Sequence, residues 1–592
     1  MKRIINIILI ITLAGLFVVL YSCKEDFLDK QPTGTAAGEV MQTPEGVEGL
    51  LIGAYDMLTG DNIFGPAMAT DWTYGGGASD NVYKGTSLGD QTAFNEVERY
   101  ETLPDNLYMS QRWRDCYNGV SRANDVLNFL WQTQEGSNPV AQNRAAEIEG
   151  EAKFLKAWYH FKATRIWENI PYVKTEQELD GTLPEEVPND SPGWDDIEAD
   201  LQFAIDNLPA EPPKGDVGRA DQWAAMAVKA YAHLYQGEYD QARPLLDNII
   251  NNGPFSLVDN YYDNYHSSTE NNDESIFEIQ ITTTAEDQGW GVNANNLALT
   301  GAVFHQSGPA GVGWGFYQPS QNLFEAFQTT TEGLPVLDKE NRDALANDMG
   351  VGSDEAFTPT NHPLDPRVDW TIARRGVDFL GWGIHAGQSW IRAQSNGGPY
   401  MTKKFMQTAD EPSNVGGFKN PRNFRAYRYS HVLLWRAEIA VEDGELDYAR
   451  QLVNQIRNRA KNSDYVMGRV SVDVLDDQPV AEDGEVDWDQ PAANYNIEPY
   501  PSDAPAFQDQ ASARKAVRLE QRLEFATEGK RYFDLRRWGI ADEVLNSYIQ
   551  EDNQFRGFLE GASYDPEKDD YWPLPQAQLD IQPSLEQDPA YK

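Results

Sequence analysis

Apolar residues recur at steps of three and four along much of this chain, the spacing that gathers them on one face of an α-helix. Ile148, Ala152, Leu155, Tyr159, Ala163 and Ile166 make one such stripe, which stops before Pro171. Trp194, Ile197, Leu201, Ala204 and Leu208 make another. Pro209, Pro212 and Pro213 end it, because proline has no N–H to donate to a helical ladder. Further helices are expected over 43–58, 117–131 and 144–167. Alternation with a period of two, the strand signal, is scarce, and SIFEIQITTT at 275–284 is its clearest case.

One internal repeat stands out. GEYDQARPLLDNII at 237–250 matches GELDYARQLVNQIR at 444–457 in register, and each copy follows a helix that carries an alanine at the equivalent place, Ala230 and Ala437. Each copy therefore reads as helix, glycine turn, helix, with small alanines where two backbones approach, the packing of tetratricopeptide-type pairs. The copies lie 207 positions apart rather than about 34, which predicts a helical frame that is not one continuous solenoid and has other pairs flanking the two copies.

Between the helical parts the composition changes. Residues 60–90 hold Trp72, Tyr74, three consecutive glycines, Asp80 and Asn81. Residues 288–324 carry no charged side chain yet hold Trp290, Trp314 and Tyr317 among glycines and asparagines, and residues 376–400 add Phe379, Trp382, Trp390 and Tyr400. Long loops inside a folded body are usually functional. The stretch 470–513 has no Lys or Arg and clusters Asp473, Asp476, Asp477, Glu482, Asp483, Glu485, Asp487 and Asp489. It lacks the ordered ligand spacing of a calcium loop and reads as a solvated acidic loop.

The first residues set the location. Lys2 and Arg3 precede an apolar run from Ile4 to Leu20 that closes on Tyr21-Ser22-Cys23, a positive start, a short apolar core and a small residue before a cysteine. That is the pattern of a lipoprotein signal peptide over 1–22, and Cys23 is the expected lipidation site, tethering a soluble body to a membrane. Without residues 1–22 the chain keeps 46 basic and 93 acidic residues, a formal charge of 46 − 93 = −47. So negative a surface repels polyanions, which argues against nucleic acid as a partner. With 40% hydrophobic and 11% aromatic residues the chain can bury a large core. Cys116, in WRDCYNGV, has no disulfide partner once Cys23 is lipidated and reads as a small buried hydrophobe.

Catalytic signatures are missing: there is no Gly-x-Ser-x-Gly, no phosphate loop ending in Gly-Lys-Ser/Thr and no His-Glu-x-x-His, and the seven histidines show no pair at metal-ligand spacing. No cofactor or metal site is expected, although carboxylate pairs for glycoside hydrolysis could still be assembled by folding. Binding chemistry is better represented. A sugar ring packs its C–H face on an aromatic plane and offers hydroxyls to amides and carboxylates, and loops mixing Trp, Tyr, Asn and Asp supply both. Peptides would suit the same aromatic pockets, and the same rings could instead fill core beneath the loops.

Several segments together resemble the SusD/RagB family of nutrient-binding outer-membrane lipoproteins. They are CKEDFLD with Pro32 at the mature start, GEAKFLKAWYHFKATRIWENIPYV at 150–173, GRADQWAAMAVKAYAHLY at 218–235, YRYSHVLLWRAEIAVEDGELDYARQLVNQIRNRA at 427–460, RLEFATEGKRYFDLRRWG at 522–539 and YWPLPQAQLDIQPSLEQDPAY at 571–591. The resemblance implies an all-α fold of four tetratricopeptide-like pairs whose irregular loops carry the ligand surface. It implies one SusD-like domain over 23–592, with loop insertions near 60–90, 254–420 and 465–512. It also implies a partner, a SusC-like TonB-dependent transporter that the protein caps as a lid while passing glycan, or alternatively peptide, inward, with Cys23 anchoring it at the outer membrane, facing the cell exterior. Glu528, Gly529, Arg531, Asp534, Leu535 and Trp538 of its most specific motif are expected to be structural. Ligand contacts vary within the family, so the candidates rest on composition: Trp72, Tyr74, Asp80, Trp290, Trp314, Tyr317, Trp382 and Trp390. Outside the family reading stand a lipid-anchored glycoside hydrolase and a purely structural helical adaptor.

Overall fold

The computed structural model describes residues 38–60, 68–281, 315–411, 422–470 and 486–592. Its frame is helical. Helix α1 (Pro44–Asp56) opens at Thr43, whose hydroxyl accepts from the Gly46 N–H, and α2 (Leu107–Glu135) opens at Asn106, whose side chain accepts from the Tyr108 N–H. Both caps satisfy amides that have no partner inside the helix. Helix α3 (Gln142–Trp167) contains the predicted stripe from Ile148 to Ile166, all of it buried, but over 150–167 every residue except Lys153 is buried as well. It is therefore the central rod of the frame and not a surface helix with one apolar face. Helix α4 (Trp194–Asn207) packs on α3 through Ile197, Leu201 and Ala204.

The repeat folds as its sequence predicts. Helices α5 (Gln222–Tyr235) and α6 (Tyr239–Asn252) form the first copy, and α7 (Tyr429–Glu442) and α8 (Leu446–Asn462) the second. Gly237 and Gly444 turn the chain at φ +75° and +78°, the left-handed conformation glycine adopts without steric cost. Just after them, the Glu238 N–H donates to the His233 carbonyl and the Glu445 N–H to the Ala440 carbonyl, both at 2.8 Å. Ala230 and Ala437 are fully buried at the crossings.

The two copies are distant in sequence, as expected of a frame that is not one continuous solenoid along the chain, but adjacent in space. Helix α6 packs directly on α7. Tyr231 stacks on Trp435 with ring centroids 4.7 Å apart, and Arg243 pairs with Asp443 at 2.8 Å. The two helix pairs stack directly on each other although residues 253–428 lie between them in the chain.

Strands among the described residues form four two-stranded antiparallel ribbons. β1 (Val82–Gly85) pairs with β3 (Phe316–Pro319) and β2 (Ser275–Ile279) with β6 (Phe424–Arg428). Two-residue strands β4 (Ile372–Ala373) and β5 (Met401–Thr402) pair with each other, as do β7 (Met467–Val470) and β8 (Val486–Pro491). The expected strand at 275–284 is thus confirmed over its first five residues. Of the acidic cluster, Asp487 and Asp489 lie on the outward-facing β8; Asp473, Asp476, Asp477, Glu482, Asp483 and Glu485 lie outside the described residues. Helices α9 (Gln510–Glu524) and α10 (Arg531–Arg537) carry the most specific family-like motif into the middle of the frame. No helix among the described residues is long and apolar enough to cross a membrane. Cys116 is fully buried, and burial pushes its thiol up to about 12, so it packs as a hydrophobe.

Candidate ligand-binding site

The segment 71–81 begins with Asp71, buried and facing three cations: Arg165 at 2.7 Å, Lys162 at 2.9 Å and Arg112 at 3.6 Å. Burial alone would raise its pKa, but these charges outweigh it and hold the carboxyl well below its ordinary range. A single π-helical turn, Trp72–Gly77, follows. Its glycines allow close approach: a Cβ on Gly75 would lie 1.8 Å from the Gly529 carbonyl oxygen, and one on Gly76 1.9 Å from the Tyr317 hydroxyl. The glycine run that reads in sequence as an open loop is instead where two backbones and a ring meet.

Five of the predicted ligand residues, Trp72, Tyr74, Asp80, Tyr317 and Trp390, lie buried in this structure with their side chains packed inside the protein. Trp72 is buried with its ring 5.2 Å from Tyr317 and 5.5 Å from Phe405. Tyr74 is buried, donates its hydroxyl to the Tyr108 carbonyl at 2.8 Å and lies under the Arg112 guanidinium. Asp80 is buried between Arg531 at 2.8 Å and Arg522 at 2.9 Å. Tyr317 is buried at φ +61°. Trp390 is buried against His385, 5.0 Å away, and Phe379, 6.0 Å away. None of these side chains presents a face to a ligand in this conformation. Trp290 and Trp314 lie outside the described residues, as does Cys23.

The motif residues behave as packing devices. Glu524, at the end of α9, accepts from Arg428 at 2.6 Å, from Arg367 at 2.9 Å and from Arg459, with every partner buried. Arg428 also reaches Glu274 at 2.7 Å and Glu528 at 3.0 Å, and Lys404 reaches Glu528 at 2.9 Å. Burial opposes ionisation of Glu524 and Glu528, yet the surrounding guanidinium groups and Lys404 hold both carboxyls well below the usual range. Gly529 turns at φ +75° against the Asp71 backbone, Asp534 pairs with Arg537 at 2.8 Å, Leu535 is fully buried, and the Trp538 indole donates to Glu438 at 3.0 Å.

A different surface carries half-exposed rings. Trp382 is half-buried between Gly381 (φ +80°) and Gly383 (φ +116°), and its indole N–H donates to the Gln407 carbonyl at 2.9 Å. One residue earlier in that strand of loop, the Met406 carbonyl lies 3.5 Å from the Tyr262 hydroxyl. The Tyr262 ring in turn stacks on half-buried Trp370 at 4.7 Å. The Trp370 N–H is fixed at 2.9 Å by the Asp464 carbonyl, and beside Asp464 the half-buried Tyr465 meets Tyr495 edge-on at 5.3 Å. The Tyr495 hydroxyl closes the circuit on Asp369 at 2.6 Å. Burial, then the Asp369 charge, raises its pKa, so it stays protonated as a donor. Asp369 is oriented by Arg374 through two bonds of 2.7 and 2.8 Å. Trp382 is held by its edge, and Trp370 by its edge and by the face that stacks on Tyr262, so the half-exposed remainder of each ring is available to the C–H face of a sugar, while the exposed Asp410, three residues after Gln407, supplies an acceptor.

Trp370, Tyr465 and Tyr495 were not predicted. Trp370 stands alone in DPRVDWTIARR among charged residues and Tyr495 in AANYN among amides, contexts far from the glycine-rich runs that drew attention. The available signal was isolation of a large ring in a polar neighbourhood, which is a poor place for core. A second ring-and-amide cleft, about 120 Å³, lies at α2, where Trp113 and Tyr117 face Gln578 and Gln582.

Comparison with known proteins gives one family. Residues 273–591 match the model of the SusD family, and residues 26–234 match a model described as starch-binding associating with outer membrane. SusD-like protein P25 of Formosa agariphila is 24% identical over 590 residues, covering 97% of each chain. A SusD-like protein of Bacteroides ovatus is 25% identical over 336 residues, 55% of this chain and 57% of that one. Among solved structures, a SusD-like protein from Bacteroides fragilis superposes with a TM-score of 0.67 at 18% identity, over 94% of this chain and 99% of that one. Surface glycan-binding protein A from Bacteroides thetaiotaomicron, solved in complex with laminarihexaose, superposes with a TM-score of 0.63 at 20% identity, over 92% and 99%. The likeness to these structures establishes a shared fold.

Proposed function

This chain belongs to the SusD family, and from that premise we propose that it is a non-enzymatic lipoprotein of the outer membrane, anchored through Cys23 and facing the cell exterior, that binds oligo- or polysaccharide and passes it to a SusC-like TonB-dependent transporter. The observation that carries this reading is the group of half-exposed rings Trp382, Trp370, Tyr465 and Tyr495, each fixed by a hydrogen bond or ring contact of the SusD-type frame. Stacking platforms with few fixed polar groups recognise ligands that are flat and apolar on one side and hydroxylated at the rim. Support comes from a protein of the same fold solved with laminarihexaose and from a family description that names starch binding at the outer membrane. Trp290 and Trp314 belong to the proposed ligand set as aromatic residues of the uncharged stretch 288–324.

Affinity electrophoresis of the purified chain through gels containing laminarin, starch or other polysaccharides tests this reading. Retarded migration without released oligosaccharide is expected, and Trp382→Ala with Trp370→Ala should abolish the retardation. Released oligosaccharide would identify a hydrolase. Binding of peptides with no polysaccharide retarded would assign the same lid to peptide uptake. Isolation of the native protein from membranes should bring a TonB-dependent barrel with it, and recovery without any barrel would overturn the transporter role.

A further inference from the structure

We propose that Glu198, His233 and Glu238 form a binding site for one divalent transition-metal ion, which ties α4, α5 and α6 together. His233 sits in the last turn of α5, Glu238 in the glycine turn that leads into α6, and Glu198 on the facing side of α4. The imidazole Nδ1 is 2.7 Å from Glu238 Oε2 and 3.5 Å from Glu198 Oε1, and one donor atom from each residue lies within 4.8 Å of the others. Ligands at about 2.0–2.2 Å from a tetrahedral ion stand about 3.3–3.6 Å apart, so small side-chain rotations, which open the His233–Glu238 pair and draw in Glu198, fit the set around a cation. Two carboxylates neutralise a dication, and one nitrogen with two oxygens leaves a fourth position open to water, while the Gln236 amide NH2 donates to Glu198 Oε1 at 2.7 Å and orients that carboxylate. The imidazole favours zinc or its neighbours over calcium, which takes six to eight oxygens.

The second repeat copy shows that this constellation is not what the turn requires by default. The turns superimpose in their hydrogen bonding, yet in the second copy Ala440 stands where His233 stands in the first, and the turn glutamate Glu445 pairs with Arg436 at 3.3 Å. In the first copy the position equivalent to Arg436 is Lys229, and its amine turns away to Gln202 at 2.8 Å. Glu238 is thereby left to the imidazole. Access and order are both suited to a metal: His233 is buried and fixed in place, while the Glu198 and Glu238 side chains are 21% and 37% exposed and open to solvent.

The test uses the full chain, treated with chelator and then titrated calorimetrically with zinc and, separately, calcium. One equivalent of zinc is expected to bind, calcium is not, and saturating zinc should raise Tm by about 2–5 °C. His233→Ala and Glu198→Gln/Glu238→Gln should lose both the binding and the Tm shift. Glu238→Gln alone, a half-exposed turn position that leaves the fold intact, should weaken zinc binding at least tenfold. Zinc binding by the wild type no stronger than by His233→Ala, or equal responses to zinc and calcium, would overturn the proposal. None of these readouts involves polysaccharide.

Discussion

Trp72 and Trp382 stand in similar sequence, WTYGGG and LGWGI, and end in opposite environments. Beside Trp72 is Asp71, gripped by Lys162, Arg165 and Arg112, and the glycines after it let Gly529 and Tyr317 press against the π turn. Beside Trp382 the glycines make a left-handed turn that lifts the ring outward, and a single backbone carbonyl holds its edge. Glycine next to tryptophan therefore marks either a close approach or a raised turn. What separates the two is whether a buried charge nearby has partners waiting on the frame helices.

The contrast is broken most severely at the hub of the charged interior. Glu524→Ala would leave Arg367, Arg428 and Arg459 deprived of a shared buried counter-charge, and a loss of about 3–5 kcal/mol is expected in urea unfolding. A loss below about 1 kcal/mol would mean the charges are not structural. Trp72→Ala removes a buried indole and should cost about 3–5 kcal/mol of stability. If Trp72→Ala instead folds normally and loses glycan binding, the two rings have been placed on the wrong sides of the comparison. Gly75→Ala, which forces a Cβ onto the Gly529 carbonyl, should destabilise by about 1–3 kcal/mol in the same assay. Trp382→Ala should leave the unfolding midpoint nearly unchanged and weaken polysaccharide binding by about 1–3 kcal/mol, the magnitude of a stacking contact, read by calorimetry.

The smallest effect is expected from mild pH change. Asp71, Asp80, Glu524 and Glu528 have folded pKa values below their ordinary values of 3.8 and 4.5. Their contribution is therefore complete above about pH 4.5 and lost only as the pH falls through the depressed folded values. The contribution of these four carboxylates should be flat between pH 8 and 5, and near-UV circular dichroism should report its collapse below pH 4. A loss centred near pH 6 would point to other groups.

The frame was legible because its signals are local. The stripes in α3 and α4 and the matched turns at Gly237 and Gly444 need only periodicity and a glycine to be recognised. That α6 meets α7 was not legible, since nothing in the 254–420 excursion announces where its two ends meet. The resemblance in 522–539 identified structural charges correctly, from Glu528 to Trp538, because such a dense set of ions near aromatics has to be paired once buried. Ligand residues were the least legible. Burial of Trp72, Tyr74, Asp80, Tyr317 and Trp390 depends on partners such as Arg531, which is 451 positions from Asp80. The half-exposed ring of Trp370 takes its orientation from the Asp464 carbonyl, 94 positions away, which sequence does not pair with it.

The distance from Asp80 to Arg522 and Arg531 has a consequence for synthesis. A chain emerging N-terminus first cannot neutralise that early carboxylate until residues 522–531 have followed, so the N-terminal part waits in an unfinished state until nearly the whole chain has emerged. Any product terminated before residue 522 keeps an orphaned anion where its interior should close, and is thereby exposed to proteases as incomplete.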